Sequence, residues 1–145
     1  MRRALTILST VILATVVLAS PARAGTNDSF QVCSQWTNNA SCVEFVDYGE
    51  GKPGGGNNDD YILIHQYDPY AAYGVWGYAW LDGKYLGAKF NGSGYYAPAV
   101  VWDPFPGGNV KGGQYIGLKV CPGTSSGPIH NGQDCQEWSQ YSKDG

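Results

Sequence analysis

Apolar and polar positions alternate along this chain in short bursts. The clearest is residues 73–90, YGVWGYAWLDGKYLGAKF. Two alternating runs meet at Asp82-Gly83, a pair suited to a two-residue hairpin turn because both central positions need φ > 0. With that turn Leu81 pairs with Lys84, and the register behind it follows. One face is expected to carry Val75, Gly77, Ala79, Leu86, Ala88 and Phe90. The other carries Trp76, Tyr78, Trp80, Tyr85 and Lys89, with Gly87 opposite Tyr78. Small and aliphatic side chains suit a packed interior, whereas amphipathic rings tolerate an outer surface. The face of Trp76, Tyr78, Trp80, Tyr85 and Lys89 is the candidate binding site.

Weaker bursts flank the hairpin. Residues 43–48 form a short strand candidate, and residues 61–67 alternate around Ile62 and Ile64. Residues 95–102 predict a strand centred on Val100 and Val101, where Pro98 marks an edge or a bulge. Residues 114–121 are the last firm strand, followed by an excursion to Cys135 and a short segment over 136–141. Between them lie turns at Asp68-Pro69 and residues 91–94, and loops over 49–60 and 103–113. No stretch outside the first residues shows a helical period. About six or seven short strands with glycine-rich turns predict an all-β fold, a small antiparallel β-sandwich.

The start of the chain changes the charge balance. Arg2 and Arg3 precede an apolar run from Ala4 to Ala19, and Ala22-Arg23-Ala24 supplies a small-x-small cleavage site. Residues 1–24 are expected to be a secretory signal peptide, too short and too polar in its sequel for a membrane span. The expected layout is then a polar N-terminal segment over 25–32, a sandwich domain over 33–141 and a short tail over 142–145. Losing the leader removes Arg2, Arg3 and Arg23, and leaves six lysines against 12 carboxylates, a net charge near −6. An arginine-free, acidic domain argues against nucleic acid or anionic membrane surfaces as partners.

The even cysteine count, Cys33, Cys42, Cys121 and Cys135, reads as two disulfides in an exported chain. Three connectivities are open. Cys33–Cys42 and Cys121–Cys135 are preferred because each closes a short local loop, stabilising by roughly 3 kcal/mol under the chain-entropy model. Neither His65 nor His130 stands near a cysteine at metal-ligand spacing, so no metal or other cofactor is expected.

Catalytic patterns are sparse. His65 lies in a strand and His130 in the disulfide-bounded loop, positions that ordinary surface histidines explain. No Gly-x-Ser-x-Gly elbow occurs. The glycine run 54–56 lacks the Lys-Ser/Thr ending of a phosphate loop. Glu44, Asp47, Asp59, Asp60 and Glu137 are candidate carboxylates, but Glu44 and Asp47 do not share a strand face, and Asp59 and Asp60 flank a loop. With Asn57 and Asn58 those two could hold calcium, though without the ordered spacing of a calcium loop; a solvated loop is the plainer expectation. The chain reads as non-enzymatic.

Several features together resemble a broad group of small secreted actinobacterial β-sandwich proteins, mostly uncharacterised. They are the leader, the Asp82-Gly83 hairpin, the strand ending Leu118-Lys119-Val120-Cys121, and Asp134-Cys135-Gln136-Glu137-Trp138. The likeness spans roughly residues 73–138. It implies that the last two cysteines pair, with a tryptophan following the second. Some of the group resemble adaptor subunits of large secreted antibacterial toxin particles, whose N-terminal extension engages a partner. Here that role would fall to residues 25–30 and Gln31-Val32. The extra pair Cys33/Cys42 and the long loop over 49–60 depart from the group's pattern.

Three readings of the ring face stand side by side: rings packed inward, a protein interface, or a platform for sugar rings. If the rings bind, an extracellular protein is preferred over a neutral polysaccharide. A protease inhibitor presenting the loop over 122–134, with Pro128 at its middle, is a further alternative.

Overall fold

In the computed structural model, residues 27–34, 41–49, 59–67, 73–95, 97–105, 107 and 109–143 are described. The leader, Trp36, the glycine run with Asn57 and Asn58, and the Asp68-Pro69 turn lie outside them.

The chain is an all-β, antiparallel sandwich. The first sheet is built from β1 (Phe30–Cys33), β2 (Cys42–Gly49), β3 (Asp59–His65) and β6 (Val100–Trp102), in the order β1-β2-β3-β6. The second joins β5 (Lys84–Asn91), β4 (Gly74–Leu81) and β7 (Tyr115–Thr124). Beyond β7 lie β8 (Gly127–Pro128) and β9 (Gln136–Tyr141), paired with its two halves. A 3-10 turn, Ile129–Gly132, links β8 towards Cys135. Both expected disulfides form, Cys33–Cys42 and Cys121–Cys135.

Alternation explains the core. Val43, Phe45, Ile62 and Ile64 from the first sheet meet Val75, Ala79, Ile116, Leu118 and Val120 from the second. All are essentially water-free, and each large aliphatic or aromatic side chain contributes about 1.5–3 kcal/mol by burial. Phe105 closes one side, edge-on to Phe45 at 5.6 Å. Buried Asn91 joins the sheets, its Nδ2 donating to the Ile64 carbonyl at 2.7 Å.

Four boundaries differ from the sequence expectation. The strand expected over 95–102 shrinks to Val100–Trp102, because the Ala97 N–H turns back onto the Gly94 carbonyl and Pro98 has no N–H for a ladder. The chain after Cys121 continues as strand to Thr124, while the segment over 136–141 keeps its expected bounds as a strand along β7. Asp60 does not belong to a solvated loop: it is fully buried in β3, and its carboxylate accepts the Val110 N–H.

The fourth concerns the chain ends. Within the polar segment 25–32, the described residues are built into the first sheet rather than projecting from it. The Asp28 N–H donates to Asp47 Oδ2 at 2.8 Å, and Ser29 Oγ bridges the Asp47 main chain. The Asp28 carboxylate in turn accepts the Lys143 N–H at 2.6 Å. Ser142, expected in the tail, is buried and exchanges main-chain hydrogen bonds with Gly113 and Gln114. Asp28 gathers both ends because its main-chain N–H and its carboxylate bond different elements, Asp47 on β2 and Lys143 beyond β9.

Candidate functional site

The turn forms at Asp82 and Gly83, with φ of 52° and 77°. Leu81 pairs with Lys84 and Trp80 with Tyr85, but Ala79 then faces Gly87. Leu86 is an extra residue, a β-bulge, and Gly87 supplies the φ of 134° there. Beyond it β5 is displaced by one: Tyr78 faces Ala88, Gly77 faces Lys89 and Trp76 faces Phe90. A one-residue slip exchanges the faces of everything past it. Lys89 is thereby removed from the ring face, and Phe90 and Ala88 join it; Gly87 opposes Ala79, not Tyr78.

The rings stand outside the sandwich. A Cβ on Gly77 would lie 2.8 Å from Ile64 Cδ1 and 3.0 Å from Val43 Cγ2, so that side of β4 faces the first sheet. Val75 and Ala79 share this side and are fully buried. Trp76, Tyr78 and Trp80 occupy the opposite side, half-buried on the outer face. The inward-packed reading is overturned.

Three rows of paired residues cross this outer face. One is Phe90–Trp76–Cys121, the next Ala88–Tyr78–Lys119–Glu137, the third Tyr85–Trp80–Gly117–Ser139. Along β4 the rings form a ladder, with centroids 6.4 Å apart for Trp76–Tyr78 and 6.3 Å for Tyr78–Trp80. Phe90 meets Trp76 at 5.2 Å, and Tyr85 meets Trp80 at 5.4 Å. These separations suit favourable ring pairs.

A wall rises beside the ladder, and the sequence reading missed it. Past Cys121 the chain folds back on itself through β8 and the 3-10 turn, and the Cys121–Cys135 bond ties its end to β7. The Trp76 indole N–H donates to the Thr124 carbonyl. Gly123 makes the close approach possible: a Cβ there would sit 2.5 Å from the Gly127 carbonyl oxygen and 2.9 Å from Trp76 Cδ1. The segment that the further alternative, an inhibitor, would present as a loop folds back against the sheet. Gly123, two residues past Cys121, was the one local hint of that contact.

Floor and wall enclose an open cleft of about 690 Å3, within the size range of small-ligand sites. Tyr78, Trp80, Tyr85 and Lys119 form the floor; Ser126, Gly127, Pro128, Gly132 and the disulfide form the wall. Burial and then the neighbouring Tyr85 push the Tyr78 phenol above its ordinary 10.0, so it stays a neutral donor. Lys119 Nζ lies 4.0 Å from Glu137 Oε2.

The candidate chemistry elsewhere is partnered structure. His65 Nε2 lies 2.9 Å from Glu44 Oε2, and its ring stacks on Tyr67 at 5.3 Å. His130 Nδ1 lies 2.6 Å from Asp134 Oδ2 on the exposed 3-10 turn. Among the described residues no three His, Cys, Asp or Glu side chains gather as a metal would require, and no helix is long and apolar enough to cross a membrane. No protein-family model matches the chain, and no curated protein or solved structure is similar enough to count as a match.

Proposed function

We propose that this protein is a secreted, non-enzymatic binding module whose outer cleft stacks on the rings of an uncharged glycan. The observation that carries the reading is the ring cluster Tyr78, Trp80 and Tyr85 flooring a walled cleft, with Trp76 continuing the ladder beyond it. Flat amphipathic rings offer apolar area at little entropic cost, and neutral phenols supply hydrogen bonds. The cleft suits a narrow ligand; a folded partner needs about 800 Å2 of matching surface per side. Two disulfides suit an oxidising extracellular setting, and the apolar, arginine-led start of the chain supports export.

An adaptor role through the N-terminal segment draws less support, because Asp28 to Cys33 are committed to the sheet. A protein partner is nevertheless the second reading, favoured by one separate observation. On β9, paired among the described residues only with β7, Trp138 is 60% and Tyr141 63% exposed. Exposed aromatics on a strand without lysine or proline suit strand-edge recognition.

Affinity electrophoresis in gels containing xylan, glucomannan, soluble cellulose derivatives or glycol chitin tests the first reading. Wild type is expected to be retarded by at least one of them, and Trp80→Ala and Tyr85→Ala to migrate freely while keeping native circular dichroism. Retardation by none, with a medium protein captured in a Trp138-dependent manner, transfers the function to the β9 edge.

A further inference from the structure

Beyond Trp80 the outer face has a second, smaller hollow of about 190 Å3, lined by Trp80, Tyr115, Gly117, Glu137 and Ser139 among others. Trp80 also lines the main cleft, so one indole divides two depressions. We propose that they form one two-part site, in which a linear, uncharged oligosaccharide crosses over Trp80 and runs perpendicular to the strands. The proposal rests on the glycan reading and adds the ligand's path and its minimum length.

The pairing register carries the argument. Tyr85, Trp80, Gly117 and Ser139 stand side by side on four successive strands. Strands lie about 4.8 Å apart, so the row spans roughly 14 Å. It passes from two rings, over a position with no side chain, to a hydroxyl. Gly117 is what keeps the path open: a Cβ there would meet Trp80 Cβ and Ser139 Oγ, each at 3.5 Å, and fill the space between them. The parallel row places Tyr78, Lys119 and Glu137 alongside. Stacking groups therefore collect at the β5–β4 end and hydrogen-bonding groups at the β7–β9 end.

Charge selects the occupant. The cationic and anionic side chains on the track, Lys119 and Glu137, face each other at 4.0 Å and offset one another. A phosphorylated or carboxylated chain finds no surplus positive charge there, and the mature domain's acidic excess repels it. A neutral polyol satisfies both ends: rings beneath its apolar faces, and Ser139, Glu137 and Lys119 towards its hydroxyls.

The test titrates the protein with cello-, xylo-, manno- and N-acetylchito-oligosaccharides from disaccharide to hexasaccharide, following tryptophan fluorescence. Gly117→Val and Ser139→Ala are the variants. Gly117 is outside the positive-φ region and a Cβ there makes ordinary contacts; native circular dichroism of Gly117→Val is confirmed before titration. Wild type should bind the hexasaccharide of one series at least tenfold more tightly than its disaccharide, which is too short for the row. Gly117→Val should keep disaccharide affinity and lose that gain, with Ser139→Ala losing part of it. A wild type that binds short and long chains equally, or a folded Gly117→Val that keeps the full gain, overturns the two-part site and leaves the glycan reading standing. Binding to no series at any length overturns both.

Discussion

Trp76 and Thr124 are 48 residues apart in sequence, yet the indole N–H of one donates to the carbonyl of the other at 2.8 Å. This bond fastens the ring ladder on β4 to the folded-back segment that carries the cleft wall. Trp76→Phe keeps an aromatic ring and removes the donor. A net loss of about 0.5–1.5 kcal/mol in stability is expected, since water can reach the freed carbonyl. Glycan affinity should fall as well, because the wall is no longer pinned. Denaturant unfolding and gel retardation, measured on the same preparation, check the pair of effects.

The two disulfides should separate by function. Replacing Cys121 and Cys135 with serine releases the wall and is expected to abolish retention, at a stability loss of roughly 3 kcal/mol. Replacing Cys33 and Cys42 should cost a similar amount, yet leave ligand affinity intact in the folded fraction, because that bond joins β1 to β2 in the other sheet. Affinity measured below each variant's unfolding temperature distinguishes the two.

Gly77 sets how closely the sheets approach. Its missing Cβ leaves room for Ile64 and Val43, with no free space for even a methyl group. Gly77→Ala is expected to destabilise by about 1–3 kcal/mol through overpacking. Urea unfolding should show a lowered midpoint with an unchanged slope, the sign of lost stability without a changed unfolded state.

Asp82 makes the hairpin turn pH-sensitive. Its carboxylate accepts the Tyr115 N–H at 2.8 Å and Gln114 Nε2 at 2.9 Å. The Tyr115 main-chain bond, then the Gln114 bond, hold its pKa below the ordinary 3.8. A depressed carboxylate contributes stability above its unfolded pKa and loses it as pH falls through the folded one. Wild type should lose this contribution below about pH 4, whereas Asp82→Asn, which tolerates the positive φ, lacks that acid step. Melting temperature followed from pH 2 to 6 compares them.

How much could be read beforehand follows from the range of the interactions. The Asp82-Gly83 turn and both disulfides rest on nearby residues, and all three appear as expected. The ring face emerged from alternation, but its orientation did not. Gly77 and Ala79 look equally at home beneath a partner sheet or beside water, and Ile64 and Val43, which decide the matter, lie in other strands. Gly87 inside an alternating run was a legible bulge signal; taking the register as continuous across it put Lys89 on the wrong face. The wall was the least legible part. Its residues have loop composition, and what folds them is contact with Trp76 and a bond to β7.

The clasp at Asp28 has a kinetic consequence. Its carboxylate meets the Lys143 N–H across 115 residues of chain, so the bond closes a loop containing almost the whole fold. Loop-closure entropy delays such a contact until the strands between are already paired. A contact absent from the transition state acts on the unfolding rate alone. Asp28→Ala should thus shorten the lifetime of the folded molecule while its refolding rate stays unchanged. Where proteases cleave faster than an opened molecule recloses, that lifetime, more than equilibrium stability, decides how long a folded copy lasts.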